Sequence, residues 1–441
     1  MSEQAAGSNV EKADLEGNRK RKADGQYTSG TVIAEELKMR TFRTSILDVN
    51  EDCYRFMMDY LNVRDQLSLA SSHPYIGEMF RRYASHRYKN INESLTSRTS
   101  DENLKQLLQI VGEDLVSYES ESNRSSTGDQ HLWLLRSLRS HCTNLKHLKM
   151  TFGRTRGGWD DLYSLKQLKS LHAELHMGDR WCSDFVYNLK QFPCLRKLTL
   201  SAVSYSGRDL HVLDQLEYLD VDYCDGLDGK SLADCCQTMK QLRHLDFGCL
   251  QNFSESTFES LLTNCQQLES LVFDVGHLDS TVPYEMLCHL PRLRYLNVWT
   301  CYLRDSFIEG LMNKQGSPLE SLFLEGCALS ADQIKHLCNI STLKELRVNC
   351  DTVPLEDLVK LKSLLNLHIS MPITTGQIVD LLQGLPRLKF LNILDRDDVD
   401  KVNLGRSVHT WMSAQREQRR KIKVCFSNSY TDDILWLESS G

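Results

Sequence analysis

Fifteen cysteines and 14 histidines are the residues of this chain whose chemistry would be hardest to ignore. Thiolates and imidazoles at short regular spacing hold zinc, and a thiol beside a base attacks carbonyl groups. The spacing supports neither use. No Cys-x-x-Cys pair occurs and the histidines are scattered. There is no His-Glu-x-x-His, no Gly-x-Ser-x-Gly and no Gly-Lys-Ser/Thr phosphate loop to assemble a reaction centre. The expectation is therefore no catalytic residue, no metal and no cofactor. Most cysteines instead keep time with a repeat. Cys224, Cys301 and Cys327 stand eight residues after Leu216, Leu293 and Leu319, with Cys249 and Cys350 one place earlier in their copies. Cys142, Cys235, Cys236 and Cys265 fall where helices are expected to end. All are read as reduced thiols acting as small buried hydrophobes. Cys53 and Cys425, outside the repeats, lie on apolar faces and are read the same way.

A second set of residues points to binding. Tyr218, Asp220, Asp222, Asp246, Asp274, Tyr295, Trp299, Phe323 and Glu325 occupy the third, fifth or seventh place of successive repeat copies. Carboxylates interleaved with aromatic rings would suit a partner presenting basic or hydroxyl-rich side chains, because such residues dominate interfaces. The plainer reading is that the rings pack on one another across neighbouring strands.

The elements that must position these residues come from the repeat itself. An apolar residue, two variable ones, an apolar residue, one variable and an apolar residue recur from Leu145 through Leu168, Leu195, Leu216, Leu242, Leu268, Leu293, Leu319, Leu343 and Leu364 to Leu388, at intervals of 21 to 27 residues. That interval belongs to leucine-rich repeats. Alternation at the fourth and sixth places predicts a strand with one buried face, and the stretch before the next copy carries helical spacing, as at Phe258, Leu261 and Leu262. One strand and helix cannot bury its own apolar face. The expected fold is thus α/β: a leucine-rich-repeat solenoid, a curved parallel sheet with helices outside and the third, fifth and seventh places on its concave face.

At 441 residues and 41% hydrophobic content the chain exceeds what one globular core normally serves, and a solenoid resolves that. A net charge of −7 and a sequence pI near 6.1 argue against a broad basic surface, so nucleic acid is not the expected partner. No apolar run approaches the roughly 18 residues of a membrane span. The N-terminus lacks a signal-peptide core, so a cytoplasmic or nuclear location without disulfides is expected. Arg19-Lys20-Arg21-Lys22 in the polar arm, residues 1–43, is either a nuclear-import cluster or a solvating charge run; the arm is expected to be disordered.

Residues 44–90 differ in kind. Asn50 can cap a helix that opens with Glu51 and Asp52, and Cys53, Phe56, Met57, Tyr60 and Leu61 form one apolar stripe along it. Asp65 can cap a second helix carrying Leu67, Leu69 and Ala70. Pro74 suits the start of a third, with Ile76, Met79, Phe80 and Tyr83 on one side. Ile46, Val49, Glu51, Cys53, Met57, Met58, Tyr60-Leu61, Asp65 and Leu67-Ser68-Leu69-Ala70 are the residues through which 46–86 resembles an F-box, and the whole chain resembles the F-box/leucine-rich-repeat proteins. It departs from that pattern at Asn50, at Cys53 and at His73-Pro74-Tyr75. The resemblance implies the substrate-recognition subunit of a cullin-type (SCF) ubiquitin ligase. Val49, Asn50, Cys53, Met57, Met58, Tyr60, Leu61, Leu67 and Leu69 would then dock on the Skp-type adaptor that bridges to a cullin, and the repeats would hold the substrate. The alternative is a leucine-rich-repeat scaffold or inhibitor unconnected with ubiquitin. Residues 91–398 are assigned to the solenoid with an N-terminal capping unit, beginning near the DLVSYES segment at Asp114. Residues 399–441 are assigned to a C-terminal cap, with a helix at Val408, Trp411 and Met412, a strand at Ile422, Val424 and Phe426, and an unplaced tail containing Trp436 and Leu437 that is either loose or lies across the concave face.

Overall fold

The computed structural model describes residues 46–120, 130–153, 159–249, 254–276, 283–350, 352, 354–394, 401–414, 421–426 and 434–438. The basic cluster Arg19 to Lys22 lies outside them. The chain divides into two units, Met1–Tyr54 and Arg55–Gly441.

In the described part of the first unit a 3-10 turn, Ile46–Asp48, precedes the opening of helix α1 (Glu51–Asp59). Asn50 caps it as expected: the Cys53 amide donates to Asn50 Oδ1 at 2.8 Å. Ile46, Leu47 and Cys53 are exposed.

The second unit contains the end of α1, then α2 (Val63–Ser72) and α3 (Pro74–Arg87). Helix α2 starts three residues earlier than a cap at Asp65 would place it, because Asn62 is the cap. Its Oδ1 accepts from the Asp65 amide, and its amide nitrogen donates to the Asp65 carboxylate at 2.8 Å. The apolar side of α3 is buried through Ile76, Met79, Phe80 and Tyr83. A buried glutamine, silent in a hydrophobic pattern, ties the helices together. Gln66 Nε2 donates to the carbonyls of Met58 and Leu61, while its Oε1 accepts from the Tyr88 hydroxyl at 2.7 Å. These bonds satisfy a polar side chain that would otherwise cost stability inside the unit.

From Asn90 onward the repeats build one sheet with fifteen strands among the described residues. In order they are β1 (Asn90–Ile91), β2 (Ser117–Glu119), β3 (His147–Phe152), β4 (Ser170–Leu175), β5 (Lys197–Ser201), β6 (Tyr218–Asp220), β7 (His244–Cys249) and β8 (Ser270–Asp274). β9 (Tyr295–Trp299), β10 (Ser321–Leu329), β11 (Glu345–Cys350), β12 (Asn366–Ser370), β13 (Phe390–Leu394), β14 (Lys421–Cys425) and β15 (Ile434–Glu438) complete it. Each strand pairs with its sequence neighbours, parallel throughout β1 to β14. The sheet therefore begins one strand before the DLVSYES segment, which becomes β2.

Register follows the repeat. Leu219, Leu245, Leu271, Leu296, Leu322, Leu346, Leu367 and Leu391 align across β6 to β13 and are fully buried, as are their partners two residues on from Val221 to Ile393. Slippage by one residue would expose the whole set, which is why the register is unique.

The return segments vary more than a strand-plus-helix unit suggests. Helices Glu255–Asn264 and Thr375–Gly384 follow the expected pattern, the latter closed by a Thr374–Gln377 capping box. After β5, however, the return holds only a 3-10 turn, Leu210–Val212, and after β11 a helix of four residues, Leu355–Leu358. These are the two 21-residue intervals, too short for a full helix. Cavities of about 630 and 770 Å³ mark the gaps, beside Arg208 and Lys230 in one case and Asp357 and Asp380 in the other.

The C-terminal tail, unplaced by its sequence, supplies β15. It runs antiparallel to β14, pairing Leu437 with Ile422 and Leu435 with Val424. It is thus an edge strand rather than a cover for the sheet's open face. No helix among the described residues is long and apolar enough to cross a membrane.

Candidate functional site

A parallel strand with alternate residues buried must turn the others to the opposite side. Along β4 to β11 those residues stay partly exposed, Gly248 excepted, so the face opposite the buried leucines is open there. Towards the C-terminal end it closes: His368 on β12 and Asn392 on β13 hold the same places yet are 9% and 2% exposed.

The open face is zoned by charge. Upstream lie Lys149, His172 and Lys197. Lys149 is already engaged with Glu93 at 3.0 Å. The centre is acidic. Asp220 on β6 stands directly opposite Asp246 on β7, with Asp222 just beyond β6 and Asp274 at the end of β8. Among the described residues none of the four has an ion-pair partner. Asp246 Oδ1 is buried without a hydrogen bond. Burial, reinforced by Asp220 and Asp222, raises its pKa to about 8. Asp222 is also raised, first by burial and then by Asp220 and Asp274. Gly248 makes room for it, since a Cβ there would collide with the Asp222 carbonyl.

Tyr218 belongs to this zone with its ring already occupied. It stacks on His244 at 4.0 Å between centroids and 6° between planes, and Lys197 Nζ sits 5.7 Å from the ring centre. His244 Nδ1 lies 2.8 Å from Ser270 Oγ, while its buried Nε2 has no partner. Burial lowers the pKa of His244, with Lys197 acting in the same sense and Asp220 opposing it.

Beyond Val272 the face turns aromatic. Tyr295 and Phe323 meet at 5.3 Å, Phe323 approaches His368 at 6.3 Å, and His368 packs on Phe390 at 5.1 Å. The plainer reading, cross-strand ring packing, thus describes part of this row. Trp299 is different. It is 40% exposed, and its ring lies beside Gly276 on one side and Gly326 on the other, where any Cβ would intrude. Gly326 also has φ +83°, a left-handed conformation that glycine adopts without strain. Glu325 does not add to the acidic zone, because Arg347 neutralises it at 3.3 Å.

The residues expected to dock an adaptor separate into three groups. Met58 and Leu67 are 0% and 4% exposed and cannot form a surface; Val49, Met57, Leu61 and Leu69 are half-buried; Asn50 and Cys53 are exposed. The helix stripe is displaced because Tyr54 and Met58, not Met57, are the buried residues of α1. Tyr60 is 76% exposed and pairs edge-on with Phe56, itself 64% exposed, at 5.0 Å. Phe56 is the most informative residue absent from the expected docking set, although it stands in the stripe. His368 is the corresponding omission on the sheet, detectable only as the fifth place after Leu364.

Thiol chemistry gains no support from the buried cysteines. Burial pushes Cys142 and Cys224 up to about 12, and Cys236 is raised by Cys265 and by burial. Cys301 is exposed, contrary to the core position expected for it, because the chain turns outward after Thr300. Gly229-Lys230-Ser231 does occur at the start of helix Gly229–Thr238, correcting the absence of that tripeptide. The longer phosphate-loop motif is still missing, since Cys224 stands where its first glycine belongs. Asp209, Asp228 and Asp234 crowd the adjoining cavity and disfavour phosphate. Among the described residues no group of His, Cys, Asp and Glu is arranged to hold a metal.

The fold defines a leucine-rich-repeat solenoid, and that is the class of protein this chain represents. No family model matches it, and no curated protein does so. Among solved structures it is similar to a leucine-rich-repeat protein of Leptospira interrogans, 16% identical over 68% of this chain and 70% of the other, TM-score 0.38. An internalin of Listeria monocytogenes is 15% identical over 80% and 89%, TM-score 0.40. Likenesses this distant say nothing about a ligand.

Proposed function

We propose that this chain is a non-catalytic protein-interaction scaffold that holds a protein partner on the open face of its repeat sheet between β6 and β10. The observation that carries the reading is the combination of four carboxylates with no ion-pair partner among the described residues, at Asp220, Asp222, Asp246 and Asp274, next to the part-exposed rings of Tyr295, Trp299 and Phe323. A surface that holds unpaired charge beside wet aromatic area has more to gain from a partner than from water. Capture of interacting proteins on immobilised full-length chain tests this. Asp220→Lys with Asp222→Lys should lose captured partners at unchanged thermal stability; undiminished capture rejects the face.

A finer reading makes this scaffold a substrate receptor of a cullin-type ubiquitin ligase. It draws on the resemblance of residues 46–86 to an F-box and on the solvent-facing pair Phe56 and Tyr60, an aromatic surface with no structural use inside the unit. The scaffold would then act by holding substrate lysines near a charged conjugating enzyme. Co-purification with a Skp-type adaptor, abolished by Phe56→Asp with Tyr60→Asp, is the expected result. A folded chain that stays alone when offered the adaptor leaves the scaffold reading standing and removes the ligase.

A further inference from the structure

The acidic and aromatic zones are separate, and their separation is set by the sheet. Asp220 and Asp246 face one another across β6 and β7, and Tyr295 and Phe323 meet across β9 and β10. The midpoints of those pairs are three strand spacings apart, about 14 Å at roughly 4.8 Å per strand. Between them β8 presents only Ser270 and Val272 in the corresponding rows, a low floor without charge. A chain crossing the strands in extended form advances about 3.3 Å per residue, so about four residues bridge the zones.

Resting on the scaffold reading above, we infer that the partner binds as an extended segment. It would carry an arginine that sits between Asp220 and Asp246 and, about four residues away, an apolar side chain that packs on Tyr295, Phe323 and Trp299. Charge decides the first part. The two carboxylates share one small area and have no ion-pair partner among the described residues, and a guanidinium offers a planar fork of donors that serves two acceptors at once. Asp246 as a whole is half-buried, so the guanidinium would meet its other carboxylate oxygen rather than the enclosed Oδ1. The groups around it are Lys197 on β5, Tyr218, Asp220 and Asp222 from β6, His244 on β7, Asp274 on β8 and Tyr295 on β9. Only Lys197 is cationic, and it lies over the far side of the Tyr218 ring. Area decides the second part. Tyr295 and Phe323 form a tilted pair continuous with the exposed edge of Trp299, which flanking glycines leave uncovered.

Fluorescence anisotropy with the full-length chain provides the test. The probe is a labelled ten-residue glycine–serine peptide with Arg and Leu four positions apart. Controls carry citrulline for Arg, or Arg and Leu side by side, or nine positions apart as a helix would need. Affinity for the first peptide should exceed that for each control by about tenfold. Asp246→Asn and Phe323→Ala should each remove most of that advantage while the chain melts at or near its usual temperature. Binding should also strengthen from pH 6.5 to 8.5, because burial holds Asp246 neutral at the lower value. Equal binding of the citrulline peptide, a preference for the nine-residue spacing, or no binding at any pH overturns the inference. Those results leave the scaffold reading intact if capture of folded partners is still lost in the Asp220→Lys, Asp222→Lys chain.

Discussion

At the scale of single residues, the most consequential feature is a carboxylate kept from ionising by its surroundings. Asp246 has a folded pKa of about 8 against 3.8 in the open chain. The folded state therefore binds the extra proton between those values. The stability this represents is present below about pH 4 and is lost as pH rises through 8. Asp246→Asn should consequently leave urea stability unchanged near pH 4 and raise it at pH 8.5 by about 1–2 kcal/mol, after allowance for solvent screening of a partly exposed group. Equal stability at both pH values would show that the carboxylate is relaxed by water. Trp299 depends on its glycines in a different way. Gly326→Ala should cost about 1–2 kcal/mol for its left-handed φ alone and shift the tryptophan emission as the ring is displaced. Both carboxylate and ring were legible as outward places of their repeats. That Glu325 is neutralised by Arg347, and that Tyr218 is covered by His244, were not, because each depends on a side chain from another copy.

At the scale of elements, α1 and β15 show how far pattern reading carries. The α1 stripe was recognisable as amphipathic, but helical spacing fixes only which residues share a face, not which face is buried. Tyr54 and Met58 are inside, whereas Phe56 and Tyr60 are in water. Met58→Asp should therefore destabilise the chain by several kcal/mol through a buried charge, while Phe56→Asp should be within about 0.5 kcal/mol of neutral; circular-dichroism melts separate the two. β15 had no legible place because antiparallel return to an edge needs no internal repeat. Truncation before Ile434 removes its ladder with β14 and leaves that edge open. Such a chain should melt earlier and self-associate in light scattering, as unprotected edges do.

Across the whole molecule, each repeat is buried only by its neighbours, so damage should stay local at first. Leu271→Ala, in the fully buried row of β8, should cost about 2–5 kcal/mol. Hydrogen exchange should rise in β7 to β9 before it rises in β3 or β13, as a chain of nearest-neighbour interfaces predicts. Uniform loss of protection would mean the sheet unfolds as one body. The leucine spacing by itself determined strands β3 to β13, their parallel order, their register and which residues face away from the core, because a period near 24 residues can bury its apolar places in only one way. What the tertiary structure alone decided was which outward residues remain available and which are already spoken for. Charge pairing, ring stacking and edge closure are made between side chains and strands that lie far apart along the chain. No local pattern records them.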